Sequence, residues 1–139
     1  MSATNELQKA VFDLLVADAG VHAIAADRIY DRVPEGATFP YVTIDALVAA
    51  EDDEECIDGL SYTVQVSGWS RYQGGKKEVN GLADAIRAAL HKADASVTTN
   101  ALCFLRVVLV RVMTDPDGLT QPAVVQLEAR MDTACWPVR

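Results

Sequence analysis

The sequence predicts an α+β fold: a mainly antiparallel sheet with two amphipathic helices packed on one face and a long C-terminal β-hairpin. Three observations carry this. Ala123, Val125, Leu127, Ala129 and Met131 alternate with Val124, Gln126, Glu128 and Arg130, the period of a half-buried strand. Two earlier segments place apolar residues at helical spacing. Between the alternating run and the apolar run before it stands Asp115-Pro116-Asp117-Gly118. Proline presets φ for the second turn position, and glycine takes the positive φ that follows a type I turn.

The first helix is expected from about Asn5 to Ala19, with Leu7, Val11, Leu14 and Leu15 as its stripe. Glu6, Lys9, Asp13 and Asp18 fall largely off it. Ser2 or Thr4 suits the N-cap, and Gly20 suits the end. Val21 to Ala26 reads as a link to Arg28-Ile29-Tyr30, and Val33-Pro34-Glu35-Gly36 as a turn. A strand begins at Phe39-Pro40-Tyr41-Val42-Thr43-Ile44, where Pro40 pushes Phe39 toward extended geometry. Leu60, Tyr62, Val64 and Val66 alternate with polar residues in a second strand, and Gly68 suits a bulge before Trp69. Lys76 to Ala93 is the second helix, its apolar face made by Val79, Leu82, Ala83, Ile86, Ala89 and Leu90. Val97 to Asn100 leads into Cys103 to Met113, apolar at almost every position, as in a strand covered on both faces. An aspartate at Val108 is then expected to unfold the chain. Pro122 sits at a strand start, where a missing N–H matters least.

The 139 residues make one domain, 1–139, with a mobile acidic loop at about 49–58. The net charge of −8 disfavours the basic footprint of a nucleic-acid binder and docking on an anionic membrane. Cys56, Cys103 and Cys135 are widely spaced and lack metal spacing, which reads as reduced thiols of a cytosolic product. No secretory signal is read at the N-terminus, and no apolar run is long enough to cross a bilayer.

Chemistry is sparse. Around Gly74-Gly75-Lys76, Ser70 stands where a phosphate loop needs its first glycine, and Lys77 where it needs Ser or Thr. Trp69, Arg71, Tyr72, Lys76 and Lys77 offer a small aromatic and basic patch for single-stranded nucleic acid, but the −8 charge favours a protein contact or a plain solvated loop there. His22 and His91 each lack a local ligand partner, and His91 falls at a helix end. The acids Glu51, Asp52, Asp53, Glu54 and Glu55 lack EF-hand spacing. Turn chemistry accounts for Asp115 and Asp117. No catalytic, cofactor or metal site is expected, and the chain is read as a non-enzyme.

The order of motifs carries more. A helix with Leu7, Val11 and Leu14 precedes Arg28-Ile29-Tyr30, Pro34 and Phe39-Pro40-Tyr41-Val42. Trp69-Ser70, the helix Leu82 to Leu90, Arg111 and Asp115-Pro116-Asp117-Gly118 follow. From about Leu7 to Arg130 this order resembles the tail completion, or tail terminator, family of long-tailed phages and gene transfer agents. The resemblance implies a structural virion protein, without cofactors, made in the host cytoplasm. It implies a hexameric ring on the head-proximal end of the tail tube that stops tube polymerisation. The implied partners are further copies of itself, the tail tube protein and the neck or head-completion proteins, with DNA passing through the lumen and no membrane. Glu51 to Glu55 are candidates for lumen or rim, the alternative being an outer solvated loop. Trp69, Arg71, Tyr72 and Lys76 are candidate contacts to a neighbour or partner. The alternatives are a head-side stopper or adaptor ring, and a small module binding a ligand through 69–77.

Overall fold

The computed structural model describes residues 2–51, 57–93, 97 and 100–135. The elements run α1 (Ala3–Ala17), α2 (Ala19–Ala25), β1 (Ile29–Tyr30), β2 (Tyr41–Glu51), β3 (Ile57–Ser70), α3 (Lys77–Leu90), β4 (Ala101–Val112) and β5 (Gln121–Cys135). The strands form one sheet in the order β1-β2-β3-β5-β4. β1 is parallel to β2 and every other pair is antiparallel. The predicted fold class and the long hairpin are present, with a third helix added.

That third helix, α2, occupies the expected link. Asp18 ends α1, its N–H bonded to the Leu15 carbonyl, and its side chain accepts from Val21 N (2.9 Å) to cap α2. One aspartate therefore does what was expected of Gly20, which lies inside α2. A helix of 7 residues is too short to display a repeating stripe, so periodicity alone misses it. Ser2 is the N-cap of α1, accepting from Asn5 N.

The core lies between the helices and one face of the sheet. Leu7, Val11 and Leu15 of α1 and Leu82, Ile86 and Leu90 of α3 meet Val42, Ile44, Tyr62, Val64, Val66, Val125, Leu127 and Met131. Each of these larger side chains contributes roughly 1.5–3 kcal/mol by leaving water. Thr4 and Tyr62 share a hydrogen bond of 2.8 Å that pins α1 to β3. Glu6, expected off the stripe, is buried in the first turn of α1. It accepts from Asn100 N (3.1 Å) and Asn100 Nδ2 (2.6 Å), tying the start of β4 to the helix. A carboxylate near a helix N-terminus is also favoured by the dipole.

Gly68 makes no bulge; it pairs in register with Val42 and Ala123. Its bare backbone admits α3, because a Cβ there would stand 2.8 Å from Leu82 Cδ2. The irregularity near it falls instead in β2, between Ile44 and Ala46, where Asp45 is the extra residue.

β4 is not covered on both faces. It closes the sheet as an edge strand, with Phe104, Val108, Leu109 and Val110 exposed. Only Leu105 is fully buried, while Leu102 and Val107 pack partly against the core. A run of apolar residues signals surface that leaves water, without saying whether the covering element belongs to the same chain. β2 and β3 run further than expected and flank the acidic segment closely: β2 reaches Glu51 and β3 resumes at Ile57. Residues 52–56, and Trp136-Pro137 at the tail, lie outside the described residues.

Two stability measurements check this packing. Gly68→Ala forces Leu82 to shift and should lower stability by about 1–3 kcal/mol in urea unfolding. An unchanged midpoint would place α3 further from β3 than described. Val108→Asp, at 44 % exposure, should fold and lose no more than about 1 kcal/mol.

Candidate functional site

The end of the sheet nearest the C-terminus of β3 gathers most of the sequence candidates. Ser70 is buried, donates to Glu78 Oε1 (2.7 Å) and accepts from Tyr72 N (3.1 Å). This bond joins the end of β3 to the first turn of α3 and fixes how the chain leaves the strand. Trp69 lies on the sheet face away from the helices. Its Nε1 donates to Thr43 Oγ1 (3.0 Å), and its ring stacks 6.3 Å from Tyr41. Tyr41 in turn meets Phe39 at 4.9 Å and Tyr30 at 5.8 Å.

Arg71 closes this aromatic row. Its guanidinium sits 4.5 Å over the Phe39 ring, and its Nε donates to Thr120 Oγ1 (3.1 Å). An outer nitrogen stands 4.0 Å from Asp117 Oδ2. Burial pushes the Tyr41 phenol up; Arg71 opposes this, and Tyr30 adds to it.

Asp115-Pro116-Asp117-Gly118 is the turn the sequence predicts. Gly118 N donates to the Asp115 carbonyl (2.9 Å), and Gly118 takes φ 73°. Asp117 accepts from Thr120 N (2.8 Å), Leu119 N (2.7 Å) and Thr120 Oγ1 (2.7 Å). These bonds favour the carboxylate and hold its pKa below the ordinary value of 3.8. The turn is thus a structural device that presents Thr120 to Arg71.

The structure divides the other candidates. Tyr72 turns to the helix side, its ring so close to Gly74 that a Cβ there would meet it at 2.4 Å. With Ala23, Ile24, Lys77, Glu78 and Gly81 it lines a shallow cavity of about 340 Å³ between α2 and α3. Lys76 is the exposed residue before α3, and its side chain makes no cap. Trp69 and Arg71 therefore serve one surface and Tyr72 another, because successive residues leaving a strand point to opposite faces; Lys76 lies beyond the strand, at the start of α3. Of the acidic run, Glu51 is exposed at the end of β2; Asp52, Asp53, Glu54 and Glu55 lie outside the described residues.

Sequence reasoning missed a polar knot on the outer face. Asp45 accepts from Thr43 Oγ1 (2.5 Å), from Gln65 Nε2 (3.2 Å) and from Ser67 Oγ. Only the bulge brings Asp45 to both neighbours, and a bulge leaves no mark in an alternating sequence. His91 was also underread. It follows α3 and accepts from Val107 N through Nδ1 (3.0 Å), so it anchors β4 as well as ending the helix. Among the described residues, no three His, Cys, Asp or Glu side chains converge in a way that could hold a metal.

Residues 9–132 match the family described as Tail completion protein gp17. The chain belongs to the tail completion protein family. The resemblance carried by its ordered motifs is thereby shown, and the chain is a structural protein of the phage tail. A chain solved in the virion of a native gene transfer agent particle has the same fold, with a TM-score of 0.87 at 23% identity. The match covers 94% of this chain and 98% of that one. No curated protein matches. For a tail completion protein, the surfaces that matter are those that meet other proteins, and a non-catalytic role is consistent with the family.

Two titrations test this end of the sheet. Arg71→Ala removes the charge that opposes the upward shift of Tyr41, so ultraviolet titration should find tyrosinate forming at higher pH; no shift would detach Arg71 from the row. The stability that Asp117 contributes is complete above 3.8 and lost as pH falls through its depressed folded value. The amide resonances of Leu119 and Thr120 should move in that acid range and stay constant from pH 5 to 7.

Proposed function

We propose that this tail completion protein forms a ring, a hexamer, on the head-proximal end of the tail tube. The ring ends tube polymerisation and offers its other side to the neck or head-completion proteins. DNA passes through the lumen, and the subunits are made and assembled in the host cytoplasm. The observation that carries the reading is the incomplete burial of β4. An apolar stretch, Val108 to Val110, stands exposed on an edge strand of the single chain. Exposed apolar edges invite pairing with another chain.

The charge fits a passage for DNA. Duplex DNA carries about one negative charge per 1.7 Å, and a wall that lets it slide must avoid firm phosphate contacts. We assign the acids from Glu51 to Glu55 to the lumen or its rim. The chain acts as one domain, 1–139. Trp69 and Arg71 on one surface, Tyr72 on the other, and Lys76 before α3 are assigned to contacts with neighbouring subunits, tube or neck.

Electron microscopy of particles made without this chain tests the reading. Tails of uncontrolled length, or heads and tails that never join, are expected. Normally joined particles would remove it.

A further inference from the structure

The two open edges of the sheet differ in chemistry. β4 carries Arg106 and Arg111 and no acid. β2 carries Asp45 and Glu51 and no base. β1 borders β2 only at Val42 and Thr43, so among the described residues the edge beyond them has no strand beside it. On the helix side of that free stretch runs a groove of about 470 Å³, lined by Asn5, Gln8, Lys9, Phe12, Asp31 and Ile44. Phe12 is 37% exposed there. The edge of β4 is partly occupied. Lys92 N donates to the Leu105 carbonyl (2.9 Å), and Val107 N donates to His91 Nδ1 (3.0 Å). Among the described residues no element lies beside the part that follows, from Val108 to Val112.

We propose that Val108 to Arg111 of one copy seats in the groove between α1 and the free edge of β2 in the next copy. The inference rests on the ring reading and deepens it by naming the surfaces that meet. Strand direction supports it. β2 is antiparallel to β3, β3 to β5, and β5 to β4, so β2 and β4 run opposite ways. Repeating the sheet head to tail sets β4 antiparallel beside the next β2. Charge supports it as well: an arginine-bearing edge meets an acid-bearing one. A contact of β4 with its own copy would instead oppose arginines, and like charges facing across strands repel. Val110 pairs with the core residue Val125 and so lies toward the helix side, where Phe12 lines the groove. Contact between two different patches is heterologous, and it generates a ring where the rotation closes.

The test mixes two defective copies. Val110→Glu spoils the β4 edge and leaves the groove intact; Phe12→Glu does the reverse. Both residues are exposed, so each variant should fold, checked by circular dichroism and melting. Val110→Ser and Phe12→Ser replace them where a glutamate variant does not melt cooperatively. In native mass spectrometry the unaltered chain should form closed oligomers. Each variant alone should stay monomeric, with association weakened ~100-fold or more by a charge placed in an apolar contact. Mixed in equal amounts, the variants retain one good pair of surfaces and should stop at a dimer containing one of each. Phe12→Glu that still self-associates, or two variants that assemble normally, would overturn the contact and leave the ring standing. An unaltered chain that stays monomeric at every concentration would overturn the ring, and this contact with it.

Discussion

The structure depends on the pairing of β3 with β5. These are the two longest strands, of 14 and 15 residues, and they pair from Ile57 with Cys135 to Ser70 with Gln121. Alternation then decides everything stacked on them. Tyr62, Val64 and Val66 share a face with Ala123, Val125, Leu127, Ala129 and Met131, and that face alone is dry. The helices lie against that face, their own apolar residues completing the core. Gly68 sets how near α3 comes. A register slip of one residue would turn the whole apolar set outward, so the ladder is strongly specified.

A sheet covered on one face keeps two edges, and this chain treats them unequally. β1 guards only two positions of β2. On the other side, the turn after α3 supplies Lys92 N and His91 Nδ1 to β4 and blocks its middle. The bulges in β4, near Cys103 and Val108, further limit where another strand can pair. Open edge is thus left in restricted stretches, as the proposed ring contact requires. An unguarded edge of the same length would pair indiscriminately.

Much of this was legible in the residues. The hairpin turn, the alternating β5, both long helices and the family followed from motif order, turn chemistry and period. What escaped depended on contacts between distant parts of the chain. Glu6 is separated from Asn100 by most of the sequence, and His91 reads as a helix end until Val107 arrives beside it. Asp45 reaches Ser67 only through a bulge. The error over β4 is the most instructive. Its apolar run predicts a strand covered on both faces, whereas the chain leaves Phe104, Val108, Leu109 and Val110 exposed on an edge. Among the candidate site residues, neighbours in sequence part in space: Trp69 and Arg71 face away from the helices and Tyr72 turns toward them, a division set by strand alternation.

The distribution of charge follows from the same geometry. The −8 balance is not spread evenly over the strands. Arginines at 106 and 111 stand on β4, and Arg106 is already paired with Glu128 of β5 at 2.9 Å. The acids Asp45 and Glu51 stand on β2, at the opposite side of the sheet. Exposed charges act over about 8 Å at physiological salt before counterions screen them. An arginine edge therefore attracts an acidic edge only in near contact. It contributes register and the rejection of wrong partners more than affinity. In the proposed contact, affinity therefore has to come from the apolar residues of β4, whose exposure is the larger departure from an ordinary edge strand.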